Sequence, residues 1–224
     1  MISKFIVVGG GVGGVGKSSV TFGVVDTALE KKMQVLLIDS DTSNPDCFKA
    51  YKDIVKSEAI DLDKKEGWIE LLNALNQNDG IAVLNTGARN NKGIASFGSL
   101  LMTALPELKC ELETLWVIGR KKDSLEVLAD YMETIHAGKI HVVRNLYHGE
   151  SEKFTRFNES ELKKKIEKAG GKTIDFPDLA DRVVDEINHK RLALSEAATN
   201  LDFGDRIELS RYRREVWLAL GDVV

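Results

Sequence analysis

Disulfides can contribute little to this chain. It has two cysteines, Cys47 and Cys110, in 224 residues. No C-x-x-C occurs, which removes the zinc-knuckle and dithiol redox readings, and two free thiols suit a reducing, cytoplasmic setting. Only three prolines are present (Pro45, Pro106, Pro177), scattered along the chain, so no proline-rich linker is built. Aromatic residues make up 7%. No apolar run approaches the ~20 residues of a membrane span. The short run after Met1 leads into glycines instead of a signal-peptide cleavage region. Membrane contact is therefore not expected. An excess of one charge is also lacking: 31 Lys+Arg face 35 Asp+Glu, a formal net charge of −4. That balance argues against broad electrostatic coating of nucleic acid or anionic lipid and leaves room for a local basic patch. The four histidines (His136, His141, His148, His189) show neither metal-ligand nor catalytic-triad spacing.

What is present is ordinary globular material, 43% hydrophobic and 29% charged. A chain this long can bury a core without metal or disulfide, and one domain over residues 1–224 is expected. Short apolar runs alternate with helical stripes. Lys4–Val8, Gln34–Ile38, Ile81–Leu84, Leu115–Ile118 and Ile140–Val143 read as buried strands, with a short strand at Thr173–Phe176. Helical spacing follows Ser18, surrounds Trp68, Leu71, Leu72 and Leu75, and runs through Leu125, Leu128, Ala129 and Met132. Asp123 or Ser124 is the expected cap of that last helix, and Asn158 with Glu161 resembles a capping box. Lys52–Glu66 and Tyr147–Phe157 read as mobile surface. The alternation predicts an α/β fold, a mostly parallel sheet with helices on both faces.

The informative segment is Gly11-Val12-Gly13-Gly14-Val15-Gly16-Lys17-Ser18, which fits G-x-x-x-x-G-K-[ST], the phosphate-binding loop of P-loop NTPases. Glycines let backbone N–H groups turn toward phosphate oxygens, and the helix that follows points its positive end at the same anion. In this reading Gly13, Gly14, Val15, Gly16, Lys17, Ser18 and Ser19 cradle a nucleotide. Lys17 neutralises the β/γ phosphates and Ser18 ligates Mg²⁺. Gly9-x-Gly11-x-x-Gly14 also matches a dinucleotide fingerprint, with Asp39 as its acidic residue, but that leaves Gly16-Lys17-Ser18 unexplained.

Val12–Ser18 resembles the deviant loop K-G-G-x-G-K-[ST] of ParA/MinD-type P-loop ATPases. Val35–Pro45, containing Asp39-Ser40-Asp41, is similar to that family's D-x-D switch segment. Val142–Asn145 is similar to its strand-end asparagine that reads adenine, and Phe176–Leu179 to its proline loop beside the base. Within the group, Asp39–Asn44 with Phe48–Lys52, Asn85–Ala88 and the arginine-rich C-terminus look most like TraL/StbB-type accessory NTPases of plasmid conjugation and stability. The resemblance implies ATP and Mg²⁺ as cofactors. It implies Lys17 and Asp41 as catalytic groups, Asp39 with Ser18 as metal supports, and Asn145 and Pro177 beside the base. It implies a slow switch ATPase in plasmid transfer, mobilisation, partition or stability, with plasmid DNA or a DNA-binding protein as partner. Two departures stand out. The family's signature lysine, which reaches a dimer partner's nucleotide, falls at Val12, so a homodimer should be weakened. The acid expected at the end of the third main strand is Asn85, which brings no charge.

Each assignment has a plainer counterpart. Asp39 and Asp41 could cap a loop, Asn85 could serve a turn, and Asn145 could simply end a strand. Arg206, Arg211, Arg213 and Arg214, with Lys190 and Arg191, form the most basic region, read either as a DNA surface or as a solvated helix face. Leu209, Tyr212, Val216 and Leu220 on the same segment suit a helix packed on the core. Two other functions stay open: a non-hydrolysing, nucleotide-dependent scaffold, and a dethiobiotin-synthetase-like biosynthetic enzyme.

Overall fold

The computed structural model describes residues 1–88 and 90–224. The first half runs β1 (Ile2–Gly9), α1 (Lys17–Glu30), β2 (Val35–Asp39), α2 (Asp46–Tyr51), β3 (Lys56–Ala59), α3 (Lys65–Gln77) and β4 (Gly80–Asn85). It continues α4 (Asn91–Leu108), β5 (Glu111–Ile118), α5 (Asp123–Thr134), β6 (Lys139–Asn145), α6 (Thr155–Asn158), α7 (Glu161–Lys168) and β7 (Thr173–Phe176). Three helices close the chain: α8 (Asp181–Lys190), α9 (Leu194–Asn200) and α10 (Phe203–Leu220). The seven strands form one sheet in the order β3-β2-β4-β1-β5-β6-β7, every pairing parallel.

The apolar runs become strands because both faces of this sheet are covered. Along β1, Ile6 and Val8 pack toward α1, α9 and α10, while Phe5 and Val7 pack toward α3, α4 and α5. Each fully buried Leu or Ile contributes about 2 kcal/mol, so two-sided strands dominate the stability. From β1 the chain steps to one side for β2–β4 and to the other for β5–β7. Ligand crevices of open α/β sheets lie at such a reversal, outside the carboxyl ends of the strands.

Four local expectations need correction. Lys52–Glu66 contains β3, and its Ile60 and Leu62 are buried in the core. β3 escaped notice because it is an edge strand of Lys-Ser-Glu-Ala with no apolar face. Tyr147–Phe157 likewise carries buried Phe154 and Phe157. Helix α7 is capped by Ser160, whose Oγ accepts from Lys163 N at 3.1 Å. Asn158 instead donates to Ser151 O and accepts from Arg144. Neither Asp123 nor Ser124 caps α5: Lys122 holds that position, and Ser124 Oγ donates to Lys121 O.

The C-terminal helix is locked on α1 by a buried ion pair. Asp26, 1% exposed, accepts from Arg213 Nε and Nη2, both at 2.9 Å, and from Trp217 Nε1 at 2.9 Å. The Arg213 guanidinium also lies 4.9 Å from the Trp217 ring centre. Arg211 is held by Glu208 and Glu215, and Lys190 by Glu186. Much of the basic region is thus neutralised within the fold. Leu209, Tyr212, Val216 and Leu220 are buried as the spacing predicts.

Candidate nucleotide site

The carboxyl ends of β1, β2, β4 and β6 bring Gly9, Asp39, Asn85 and Asn145 to one end of the sheet. Val8 of β1 and Asp39 of β2 both pair with Asn85. Between Gly9 and Lys17 the backbone turns through positive φ at Gly11 (66°), Gly14 (75°) and Gly16 (99°), a path that L side chains rarely follow. A Cβ on Gly13 or Gly14 would meet nothing within 4 Å, so this rim faces open space. Beneath it the loop is tight. A Cβ on Gly16 would lie 2.1 Å from Asn145 Nδ2. The first amides of α1 have no intrahelical acceptor and no side-chain cap, which leaves them directed at the loop's concavity.

A cavity of about 460 Å³ opens there. It is lined by the glycine loop, Lys17–Ser19, Asp41, Asn85, Asn145 and Pro177. Of the sequence-predicted site residues, Val15 and Asp39 stand just behind this lining. Val15 is buried, and its carbonyl accepts from Asn145 Nδ2 at 2.9 Å. Among the described residues Lys17 is the only cation on the wall, facing five aspartates: Asp41, Asp46, Asp178, Asp181 and Asp185. Lys17 Nζ donates to Val12 O at 2.9 Å, folding the side chain over the loop. Burial lowers its pKa, and the nearby Asp41 carboxylate partly opposes that shift.

Asp39 is fully buried, and burial raises its carboxyl pKa above the ordinary aspartate value. Only neutral donors offset this: Asn85 Nδ2 at 2.9 Å, Phe48 N at 3.1 Å and Asp41 N at 3.2 Å. Asn85 in turn accepts from Thr21 Oγ1 at 3.2 Å, so both ends of its amide are engaged. Cys47 is sealed beside this group, its pKa pushed well up by burial. Asp41 is half-buried and accepts from Ser43 Oγ at 2.6 Å and Asn44 N at 3.3 Å.

Sequence reasoning missed a second polar group. Asn90 Oδ1 accepts from Ser40 Oγ and Gly87 N, each at 2.6 Å, and Asn90 Nδ2 donates to Asp63 at 3.1 Å. Next to it, Asn91 Nδ2 donates to Gly11 O at 2.8 Å. The start of α4 is therefore tied both to the end of β2 and to the glycine loop. Only the glycine-flanked asparagines near residue 90 hint at this in the sequence.

Asn145 works across the loop. Besides holding Val15 O, it accepts from Tyr147 N at 3.2 Å. One N–H of its amide is left over. Pro177 is buried on the far wall, and Tyr147 is exposed at the rim.

No family model matches the sequence. Protein MobD of Acidithiobacillus ferrooxidans is 47% identical over 225 residues, spanning 100% of this chain and 99% of that one. The chain belongs to the MobD family. Solved structures share the architecture of this MobD-family chain. A putative plasmid partition protein of Borrelia burgdorferi bound to AMPPNP has a TM-score of 0.55 at 16% identity, covering 99% of this chain and 100% of that one. MinD of Pyrococcus horikoshii complexed with Mg-ADP scores 0.54 at 13% identity, over 96% of each chain. The MinC:MinD complex of Aquifex aeolicus scores 0.54 at 16% identity, over 96% of this chain and 95% of that one. The fold is that of the ParA/MinD-type P-loop ATPases.

Proposed function

We propose that this MobD-family chain binds Mg·ATP in the cavity beside Lys17 and acts as a slow switch ATPase in plasmid mobilisation. The observation that carries the reading is the Lys17 ammonium, the one cation among the described lining residues, set in a glycine cradle at the open end of α1 where the other charged side chains of the wall are aspartates. Such a site takes an anion at one place only. The names of the MobD relative and of the partition-protein neighbour support the cellular setting.

The donor set fits Mg²⁺. Ser18 offers a hydroxyl at the helix start on the cavity wall, and Asp39 offers a carboxylate that has no cation among its described partners. Ser18 would hold the metal directly and Asp39 would support it through water. Bound there, the ion would supply charge neutralisation to the nucleotide's phosphates. The protein's own share is positioning. Loop amides and Lys17 fix the phosphates, Asp41 orients the attacking water, and the spare Asn145 N–H and Pro177 meet the base. The Asn91–Gly11 and Asn90–Ser40 bonds carry loop and switch-segment movement to α4, so conformation is the output.

Protonation of Asp39 competes with the metal. Its folded pKa is raised, so the free protein gains stability from this group as pH falls through that pKa. Mg²⁺ affinity changes in the opposite sense. Mg²⁺ titrations of the ATP complex should weaken on acidification, at a pH above the ordinary aspartate range, and Asp39→Ala should flatten that dependence.

Asn145→Ala should weaken ATP, GTP and inorganic tripolyphosphate together, because the loop loses its brace at Val15. A further loss confined to ATP measures the base contact.

Turnover is tested by ADP release. Slow release that disappears in Asp41→Ala supports the switch ATPase. Saturable ATP binding with no ADP above the Asp41→Ala background would favour the second reading, a nucleotide-loaded scaffold. That reading draws on one observation: the position holds the uncharged Asn85 amide, which donates to Asp39 and accepts from Thr21 and brings no negative charge.

A further inference from the structure

Helix α10 is apolar on two opposite sides. One side is the core-facing row already described. Opposite it, Phe203 (73% exposed), Ile207 (59%) and Leu218 (81%) stand in solvent. At 100° per residue these three share one face with Ser210 and Arg214, a stripe about 22 Å long. Soluble helices normally present charge outward, so three large apolar side chains exposed on one face, with Ser210 and Arg214 between them, mark a candidate interaction site.

The charges around the stripe say what covers it. Arg214 sits between Ile207 and Leu218 in the middle of the apolar row, and Arg206 flanks it. Neither forms an ion pair with a described residue, whereas Arg211 and Arg213 both do. The helix's own carboxylates lie elsewhere: Asp205 is buried, and Glu208 and Glu215 are on the far flank holding Arg211. A sector of about 120° therefore carries apolar groups and unpaired arginines with no acid.

We infer that this face docks an amphipathic helix of a partner protein that carries acidic residues within its apolar row. Such a helix runs the length of the stripe, with apolar side chains on Phe203 and Ile207 at one end and on Leu218 at the other, and a carboxylate on Arg214 between them. A bilayer fits less well, because insertion of the apolar row would carry Arg214 in at its centre instead of at its polar border. A second copy fits less well too, because the same sector on both sides brings arginine without a carboxylate. Phe203, Ile207, Arg214 and Leu218 all lie outside the cavity lining, so this surface does not require that the cavity hold ATP.

The test uses the full chain and two fluorescent helical peptides of about 18 residues, matching α10. Both carry leucine at the same i, i+4 and i+15 positions, matching the spacing of Phe203, Ile207 and Leu218. One bears glutamate and the other lysine at the flanking and central positions. The glutamate peptide should bind and the lysine peptide should not. Leu218→Asp should weaken binding at least about tenfold, a loss of roughly 1.4 kcal/mol. Arg214→Glu should reverse the preference between peptides, a readout that misfolding does not produce. Lys17→Ala should bind the peptide as wild type does, which separates this surface from the nucleotide reading. Equal binding of both peptides, or none of either, overturns the inference. So does association with phosphatidylglycerol vesicles that survives Arg214→Glu, or self-association in sedimentation abolished by Ile207→Asp.

Discussion

Replacing Gly16 by alanine should lower affinity for Mg·ATP by about 100-fold, equivalent to roughly 2.7 kcal/mol, while leaving the sheet and its helices folded. Two effects combine. Gly16 has φ of 99°, which costs an L-residue about 1–2 kcal/mol. The new methyl group would also lie 2.1 Å from Asn145 Nδ2. The Asn145–Val15 brace has to break to make room, and the loop then relaxes from the shape that aims its amides at phosphate. Gly13→Ala is the control. Its Cβ meets nothing in the free protein, so stability should not change, and any loss of affinity reports ligand against that rim. Calorimetric affinities of the two variants, set beside their thermal melts, check the prediction. Wild-type affinity in Gly16→Ala would mean that phosphate does not use this loop.

Arg213→Ala should destabilise the fold by about 3 kcal/mol, or roughly 9 °C in Tm for a chain this size. The cause is the Asp26 carboxylate left buried with a single remaining donor, Trp217 Nε1. The double variant Asp26→Leu with Arg213→Leu should recover most of the loss, since an apolar pair removes the uncompensated charge. Arg214→Ala, one residue along and exposed, should stay within about 0.5 kcal/mol of wild type. Denaturant melts of the four proteins decide this. Equal costs for Arg213→Ala and Arg214→Ala would contradict the burial argument. The contrast also bears on the basic region: charge reversal at Arg213 would disturb the fold before it reported on DNA, whereas Arg214 and Arg206 are free to report on a partner.

The legibility of this protein in its sequence follows its physics. Strands buried on both faces, such as Gln34–Ile38, stand out because every position must be apolar. The glycine loop stands out because consecutive residues make it, so its spacing survives in the chain. β3 was invisible because an edge strand pairing only with β2 has no two-sided burial to enforce a pattern. The helix caps at Lys122 and Ser160 differ from expectation by one or two residues, where several polar candidates compete. The remaining surprises join distant positions. Asn90 meets Ser40 across 50 residues, and Asp26 meets Arg213 across 187. No local pattern encodes which partner a single asparagine or arginine will find. Asn145 was legible as a strand-end asparagine, but its bond to Val15 depends on how β6 lies beside the loop.

The central claim is that this loop binds nucleotide phosphate through Lys17. The most direct measurement is calorimetric titration of ATP with Mg²⁺ into wild type and Lys17→Ala. The account predicts saturable, Mg²⁺-dependent binding by wild type and none by the variant at the same concentrations, with both proteins folded. Undiminished binding by Lys17→Ala, or no binding by folded wild type, would contradict it.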